Sequence, residues 1–241
     1  MTKRICIWSG PRNISTALMY SFAQRSDTVV VDEPFYGHYL SQYPAYEYHP
    51  GAEEVVAIME NDWRKVVDDI LAPKETPVIF YKMMTHHIME IDWDFMRHTV
   101  NVLLTRAPQD MLPSYAKNVE QPQLLDTGYA DHIKLLDYLQ SIGQTPPVLE
   151  SQEVLKNPRR VLGELCDQMG IPFEEAMLSW EAGPRPEDGS WAKYWYHNVH
   201  KSTGFQPYKP KTEPFPEHLR PLLAECLPYY EQLAPLAIMA D

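Results

Sequence analysis

The chain has 241 residues, 44% hydrophobic and 22% charged, which suits one large globular domain, expected to run over 1–241. A formal net charge of −12 speaks against nucleic acid or an anionic membrane as partner, and does not exclude a small anionic ligand in a local cationic pocket. Three scattered cysteines (Cys6, Cys166, Cys226), no run of about 18 apolar residues, and a start that leads straight into a strand imply a cytoplasmic protein with reduced thiols.

Arg4–Trp8 reads as a buried strand. Gly10, Pro11, Arg12, Asn13 and Ile14 follow as a tight loop, and Ser15-Thr16 opens a helical pattern to Gln24. Strand, loop, hydroxyls and helix in that order aim backbone N–H groups and a helix dipole at one spot, which suits an oxyanion or a phosphate. The bland alternative is a helix cap at Ser15-Thr16. The loop lacks the Gly-Lys-Ser/Thr ending of a nucleotide-kinase P-loop.

Thr28–Val31 predicts a second strand ending in Asp32-Glu33-Pro34. Apolar residues at threes and fours predict one long helix over Glu53–Leu71. Val78–Lys82 is the third strand, running into Thr85-His86-His87, and Thr99–Thr105 is the fourth. Helices are expected at Pro108–Asn118, Thr127–Ser141, Pro158–Met169 and Pro216–Leu233, with a short strand at Val148–Leu149. Between Trp180 and Pro216, prolines, glycines and aromatics displace any regular pattern, so 180–216 reads as an irregular lid or acceptor-binding segment. Strands alternating with helices predict an α/β fold of three α/β/α layers around a mostly parallel sheet of about five strands. Ligands of such sheets sit at the strands' carboxyl ends.

Arg106 falls at such an end, and Ser114 lies two turns into the next helix. An Arg fork with a hydroxyl suits a second phosphate site, although Arg106 and Asp110 are also spaced for a helix-end ion pair. Arg106-x-Pro108-x-Asp110-x-x-x-Ser114 resembles the 3′-phosphate motif of sulfotransferases that use 3′-phosphoadenosine 5′-phosphosulfate, and Pro11–Thr16 resembles their 5′-phosphosulfate loop. Leu149-Glu150-Ser151 through Lys156-Asn157-Pro158 to Gly170-Ile171-Pro172-Phe173 is similar to a later family segment.

The resemblance implies a P-loop NTPase-like fold and sulfuryl transfer from that donor to a hydroxyl or amine, yielding adenosine 3′,5′-bisphosphate, with no metal. It assigns Gly10–Thr16 to the 5′-phosphosulfate, Arg106 and Ser114 to the 3′-phosphate, and Lys201-Ser202 to a basic loop whose Arg is missing here. Arg12 stands where the family has Lys and can act only electrostatically. Ile14 stands where the family has Gly; a β-branched residue resists positive φ, so the loop is expected to turn at Gly10-Pro11. Ala17 replaces an adenine-stacking Trp. For the base, Glu33 resembles the glutamate of bacterial carbohydrate sulfotransferases, and His86 or His87 the histidine of cytosolic ones. Glu33 is preferred over His86, and Lys82 helps to meet the donor's charge. The expected acceptor is small and neutral or cationic, and a homodimer is compatible with the segment 180–216. The alternatives are a P-loop small-molecule kinase using ATP and a non-catalytic nucleotide-binding protein of the same fold.

Overall fold

The computed structural model describes residues 2–210 and 212–241. Five strands, β1 (Lys3–Ser9), β2 (Thr28–Asp32), β3 (Val78–Met84), β4 (Val100–Thr105) and β5 (Val148–Glu150), lie parallel in the order β2-β3-β1-β4-β5. The helices are α1 (Ser15–Phe22), α2 (Tyr36–Gln42), α3 (Ala52–Ile58), α4 (Trp63–Leu71), α5 (Pro108–Tyr115), α6 (Leu124–Thr127), α7 (Tyr129–Ser141), α8 (Ser151–Lys156), α9 (Pro158–Met169), α10 (Ala192–Trp195) and α11 (Arg220–Leu233).

The central strands are apolar throughout because both faces of the sheet are covered. Ile5 and Ile7 of β1, with Val78 and Phe80 of β3, pack against Leu18 and Phe22 of α1 and Leu165 of α9. Cys6 and Trp8, with Ile79 and Tyr81, turn the other way, onto Val66 and Ile70 of α4 and Leu135 and Leu139 of α7. Phe22 stacks on Phe80 at 4.2 Å, which fastens α1 beneath the sheet.

Two helices start and stop as their chemistry predicts: Pro158 occupies the first turn of α9, and Gly170 ends it at φ 66°. The long helix expected over 53–71 is instead two helices. The polar side chains between them form a turn: Glu60 accepts from Asp62 N, Asn61 donates to Val56 O, and Asp62 caps α4 through Arg64 N. Those bonds satisfy the backbone groups that a continuous helix would have used. The helix expected over 127–141 is α7, which starts at Tyr129; Gly128 at φ 74° separates it from the short α6, which the sequence pattern does not mark. Pro216 begins a turn of 3₁₀ helix, and α11 proper starts at Arg220.

The strand order sets the location of the cleft. The chain leaves β1 toward β2 on one side and leaves β4 toward β5 on the other, so the sheet's switch point falls between β1 and β4. Loops diverge there and open a crevice at the carboxyl ends. Above it lie α2, α3 and the segment around Trp191 and Tyr196, joined in one apolar cluster.

Candidate active site

The crevice holds about 410 Å³ and is lined along one wall by Gly10–Ala17. Gly10 is required there by close packing, since a Cβ would stand 2.5 Å from the Thr127 carbonyl oxygen. The left-handed residue of the loop is Arg12, at φ 51°, and not the Gly10-Pro11 pair expected from the sequence. Ile14 accordingly keeps φ −92° and serves as N-cap of α1. No side chain caps that helix, so the capping role considered for Ser15-Thr16 is not the one they fill. The first intrahelical bond runs from Leu18 N to Ile14 O (3.0 Å), which leaves the N–H groups of Ser15, Thr16 and Ala17 ahead of it at the crevice.

Asn13 is tied to the scaffold: its Nδ2 donates to Leu104 O (3.1 Å), and its Oδ1 accepts from Ile14 N (2.9 Å) and from Ser151 Oγ. Arg12 and Arg106 meet across the switch point. Arg106 donates to the Arg12 carbonyl (2.6 Å), and Arg12 Nε donates to Ser114 Oγ (3.2 Å), joining two motifs 102 positions apart. Among the described residues neither guanidinium has a carboxylate within salt-bridge distance, so the Arg106–Asp110 pair considered from spacing is not formed. Burial and the neighbouring Arg106 together push the Arg12 pKa below its usual value. Two cations held close together with no carboxylate partner among the described residues, beside a helix N-terminus, are an arrangement suited to an anion. Lys117, one turn beyond Ser114, also lines the crevice, a cation the sequence reading missed.

The opposite wall is built on Lys82, whose side chain is 2% exposed. Its ammonium donates to Asp32 Oδ1 (2.9 Å), to Tyr196 OH (2.7 Å) and to Glu33 Oε1. Burial opposes that charge, but the two carboxylates outweigh it and hold the Lys82 pKa above normal. Glu33 sits at φ 44°, a conformation rare for a residue with a side chain, and its N–H donates to Lys82 O (2.9 Å). Burial pushes the Glu33 carboxyl up to about 7; Lys82 pulls it down, and Asp32 adds to the rise. One ammonium balances only one of two carboxylates, so a raised carboxyl is the physical expectation.

Of the two histidines, His87 is the one beside Glu33, with Nδ1 4.0 Å from Oε2. It is sandwiched between Tyr36 (4.8 Å) and Tyr39 (4.6 Å). His86 also lines the crevice, edge-on to Tyr39, and burial lowers its pKa to about 3. Burial holds His87 well below normal too, so both are neutral. Ser202 lines the crevice, but its hydroxyl is engaged by Trp180 Nε1 (3.1 Å) and Val199 O (2.7 Å). Lys201 is exposed and is not part of the lining. Thus the Gly10–Thr16 loop, Glu33, Lys82, His86, Arg106, Ser114 and Ser202 converge on one crevice, and Lys201 does not. Asp32, Tyr196 and Trp191 complete the buried network; the sequence marks Trp191 and Tyr196 only as aromatics of the segment 180–216, open between packing and acceptor contact.

A family profile described as a sulfotransferase domain matches residues 3–237. The chain belongs to the sulfotransferase domain family. The family segment thus takes in both walls of the crevice. Relatives include branched-chain-amino-acid aminotransferase-like proteins 1 and 2 of Arabidopsis thaliana, 38% and 37% identical over 228 residues. The alignments cover 94% of this chain and 40% of each relative, so the chain spans about two fifths of their length.

Among solved structures, the sulfotransferase domain of the Synechococcus PCC 7002 olefin synthase aligns with a TM-score of 0.55 at 15% identity, covering 95% of both chains. The sulfotransferase domain from the curacin biosynthetic pathway gives 0.53 at 15% identity, covering 97% of this chain and 98% of the other. A sulfotransferase from Alicyclobacillus acidocaldarius gives 0.55 at 13%, covering 98% and 96%. At such identities the likeness is one of fold, the P-loop NTPase-like α/β architecture. Among the described residues, no helix is long and apolar enough to cross a membrane.

Proposed function

We propose that this sulfotransferase-family chain transfers a sulfuryl group from 3′-phosphoadenosine 5′-phosphosulfate to a hydroxyl or amine of a small acceptor. The observation that carries the reading is the pair Arg12 and Arg106, adjacent at the switch point with no carboxylate partner among the described residues. When bound, the donor supplies a sulfuryl group on a phosphate leaving group. Arg12 and the first-turn amides of α1 suit its 5′ end, and Arg106 with Ser114 suits the 3′-phosphate. Arg12, bonded to the Ser114 hydroxyl, and Arg106, bonded to the Arg12 carbonyl, suit the two-anion cradle that such a nucleotide needs.

Glu33 is the base in this reading. It lines the crevice, its carboxyl is raised toward neutrality, and a base works best when its pKa lies near working pH. Neutral His86, with a pKa of about 3, is a far weaker proton acceptor. Lys82, pinned by three partners, keeps its proton and holds Glu33 in place. On the acceptor side the crevice offers Tyr36, Trp191, Trp195 and uncharged histidines, so a neutral or cationic acceptor fits better than a polyanion. The chain's net charge of −12 works in the same direction.

The test is calorimetric binding of adenosine 3′,5′-bisphosphate, with chelator present, against ATP with Mg²⁺. It is followed by transfer of ³⁵S-sulfate from the donor to a panel of phenols, alcohols and amines. Chelator-insensitive preference for the bisphosphate and labelled product support the reading. Preference for Mg-ATP overturns it, and tight bisphosphate binding without transfer to any acceptor leaves a nucleotide-binding protein.

A further inference from the structure

Asp32 does not line the crevice, yet it is the hub of the network behind it. Its carboxylate accepts from Lys82 (2.9 Å), from Tyr196 OH (2.7 Å) and from Gly189 N (3.1 Å). Tyr196 OH in turn accepts from Trp191 Nε1 (3.1 Å). Three positions of the irregular segment over the crevice, Gly189, Trp191 and Tyr196, therefore converge on one carboxylate at the end of β2. Every donor of the Lys82 ammonium is engaged: one by Asp32, one by Tyr196, one by Glu33. The other oxygen of Glu33, Oε2, has no hydrogen-bond partner among the described residues, and His87 Nδ1 lies 4.0 Å from it.

Resting on the assignment of Glu33 as the base, we propose that Asp32 is a positioning residue that sets the state of Glu33. By sharing Lys82 and anchoring the segment 189–196, it keeps Glu33 a usable base and stops it becoming the inert half of a Lys–Glu ion pair. With Lys82 committed to two carboxylates, the ammonium orients Oε1 without neutralising the group, and Oε2 stays open to take a proton. Were Asp32 uncharged, Lys82 would belong to Glu33 alone, and the carboxylate would lose proton affinity. The groups facing Glu33 are Asp32 from β2, Lys82 from β3, His87 just beyond β3, Tyr36 from α2, and Tyr196 beside Lys82. Both aromatic hydroxyls are held protonated by burial, and His87 is neutral, so the balance rests on Asp32 against Lys82.

The test follows the ionisation of Glu33 directly, in protein labelled with ¹³C at glutamate side-chain carboxyls, the resonance being assigned by its loss in Glu33→Gln. Asp32→Asn removes the repelling charge and is expected to lower the Glu33 midpoint by about one pH unit or more. Lys82→Gln removes the cation and is expected to raise it by a similar amount. The affinity for adenosine 3′,5′-bisphosphate is expected to stay within about twofold in Asp32→Asn, because Asp32 is outside the crevice lining. The acid limb of ³⁵S-sulfate release from the donor should move with the midpoint. If one variant does not fold, the direction of shift in the other decides. A midpoint that stays put in a folded variant, or moves the same way in both, overturns the proposal. Failure of the wild-type protein to bind the bisphosphate would instead count against the sulfotransferase reading, and the carboxyl titration would still be interpretable.

Discussion

Replacing Arg106 by Ala removes a guanidinium whose one described hydrogen bond goes to the Arg12 carbonyl (2.6 Å). Losing that bond costs about 1 kcal/mol of stability, and relief of the repulsion between Arg106 and Arg12 offsets part of it. For a chain of this size, the melting temperature should therefore fall by no more than about 4 °C. The ligand is expected to lose far more. A hydrogen bond from a charged donor contributes about 1.5–3 kcal/mol, so adenosine 3′,5′-bisphosphate should bind about 10- to 150-fold more weakly. Adenosine 5′-phosphate, which lacks the 3′-phosphate, should lose clearly less than the bisphosphate, its remaining loss coming only through the Arg106 bond to the Arg12 carbonyl. Titration calorimetry of both nucleotides against both proteins closes this cycle. Equal losses for the two nucleotides would show that Arg106 does not read the 3′-phosphate, and no loss for either would sink the anion site at the switch point.

Gly10→Ala drives a methyl against the Thr127 carbonyl, so it should cost about 1–3 kcal/mol in urea unfolding and weaken bisphosphate binding as the loop shifts; unchanged stability would mean that the loop does not pack as described. Glu33→Gln is expected to cut sulfuryl transfer about 10²- to 10⁴-fold while bisphosphate affinity stays within about twofold, and undiminished turnover would remove Glu33 as the base. Burial lowers His86 to about 3 and both His49 and His132 to about 4, against 6.5 when unfolded. The unfolded chain thus binds more protons at those sites, and their contribution to stability, full above 6.5, drains away as pH falls toward 4. Glu33, raised to about 7, works the other way but is one group against these three and His87, which is lowered too. Stability should therefore fall between pH 6.5 and 4.5, and His132→Gln should flatten that slope by about one proton; an unaltered slope would contradict the burial of His132.

The parts of this protein that could be read from the chain are those whose information is local. Continuous apolarity marked the strands because both sheet faces are covered, and the pattern Arg106-x-Pro108-x-Asp110-x-x-x-Ser114 placed one residue at a strand end and another two helical turns on. The break at Met59–Asp62 was hidden because apolar periodicity carries across it, while the side-chain bonds of Glu60, Asn61 and Asp62 decide it. Arg12 takes the positive φ, and Gly10 is held against the Thr127 carbonyl by tertiary packing; no local rule foresees either.

By itself, the sequence determined the α/β class, the strand–loop–helix order at Gly10–Thr16 and the motif Arg106 to Ser114, since each depends on neighbours within about ten residues. Tertiary structure decided the rest. Only the order β2-β3-β1-β4-β5 brings Arg12 onto Arg106, and only the return of residues 189–196 over the sheet puts Tyr196 on Asp32 and Lys82. Contacts spanning 94 and 164 positions depend on how the connections cross, and strand-by-strand patterning does not encode that.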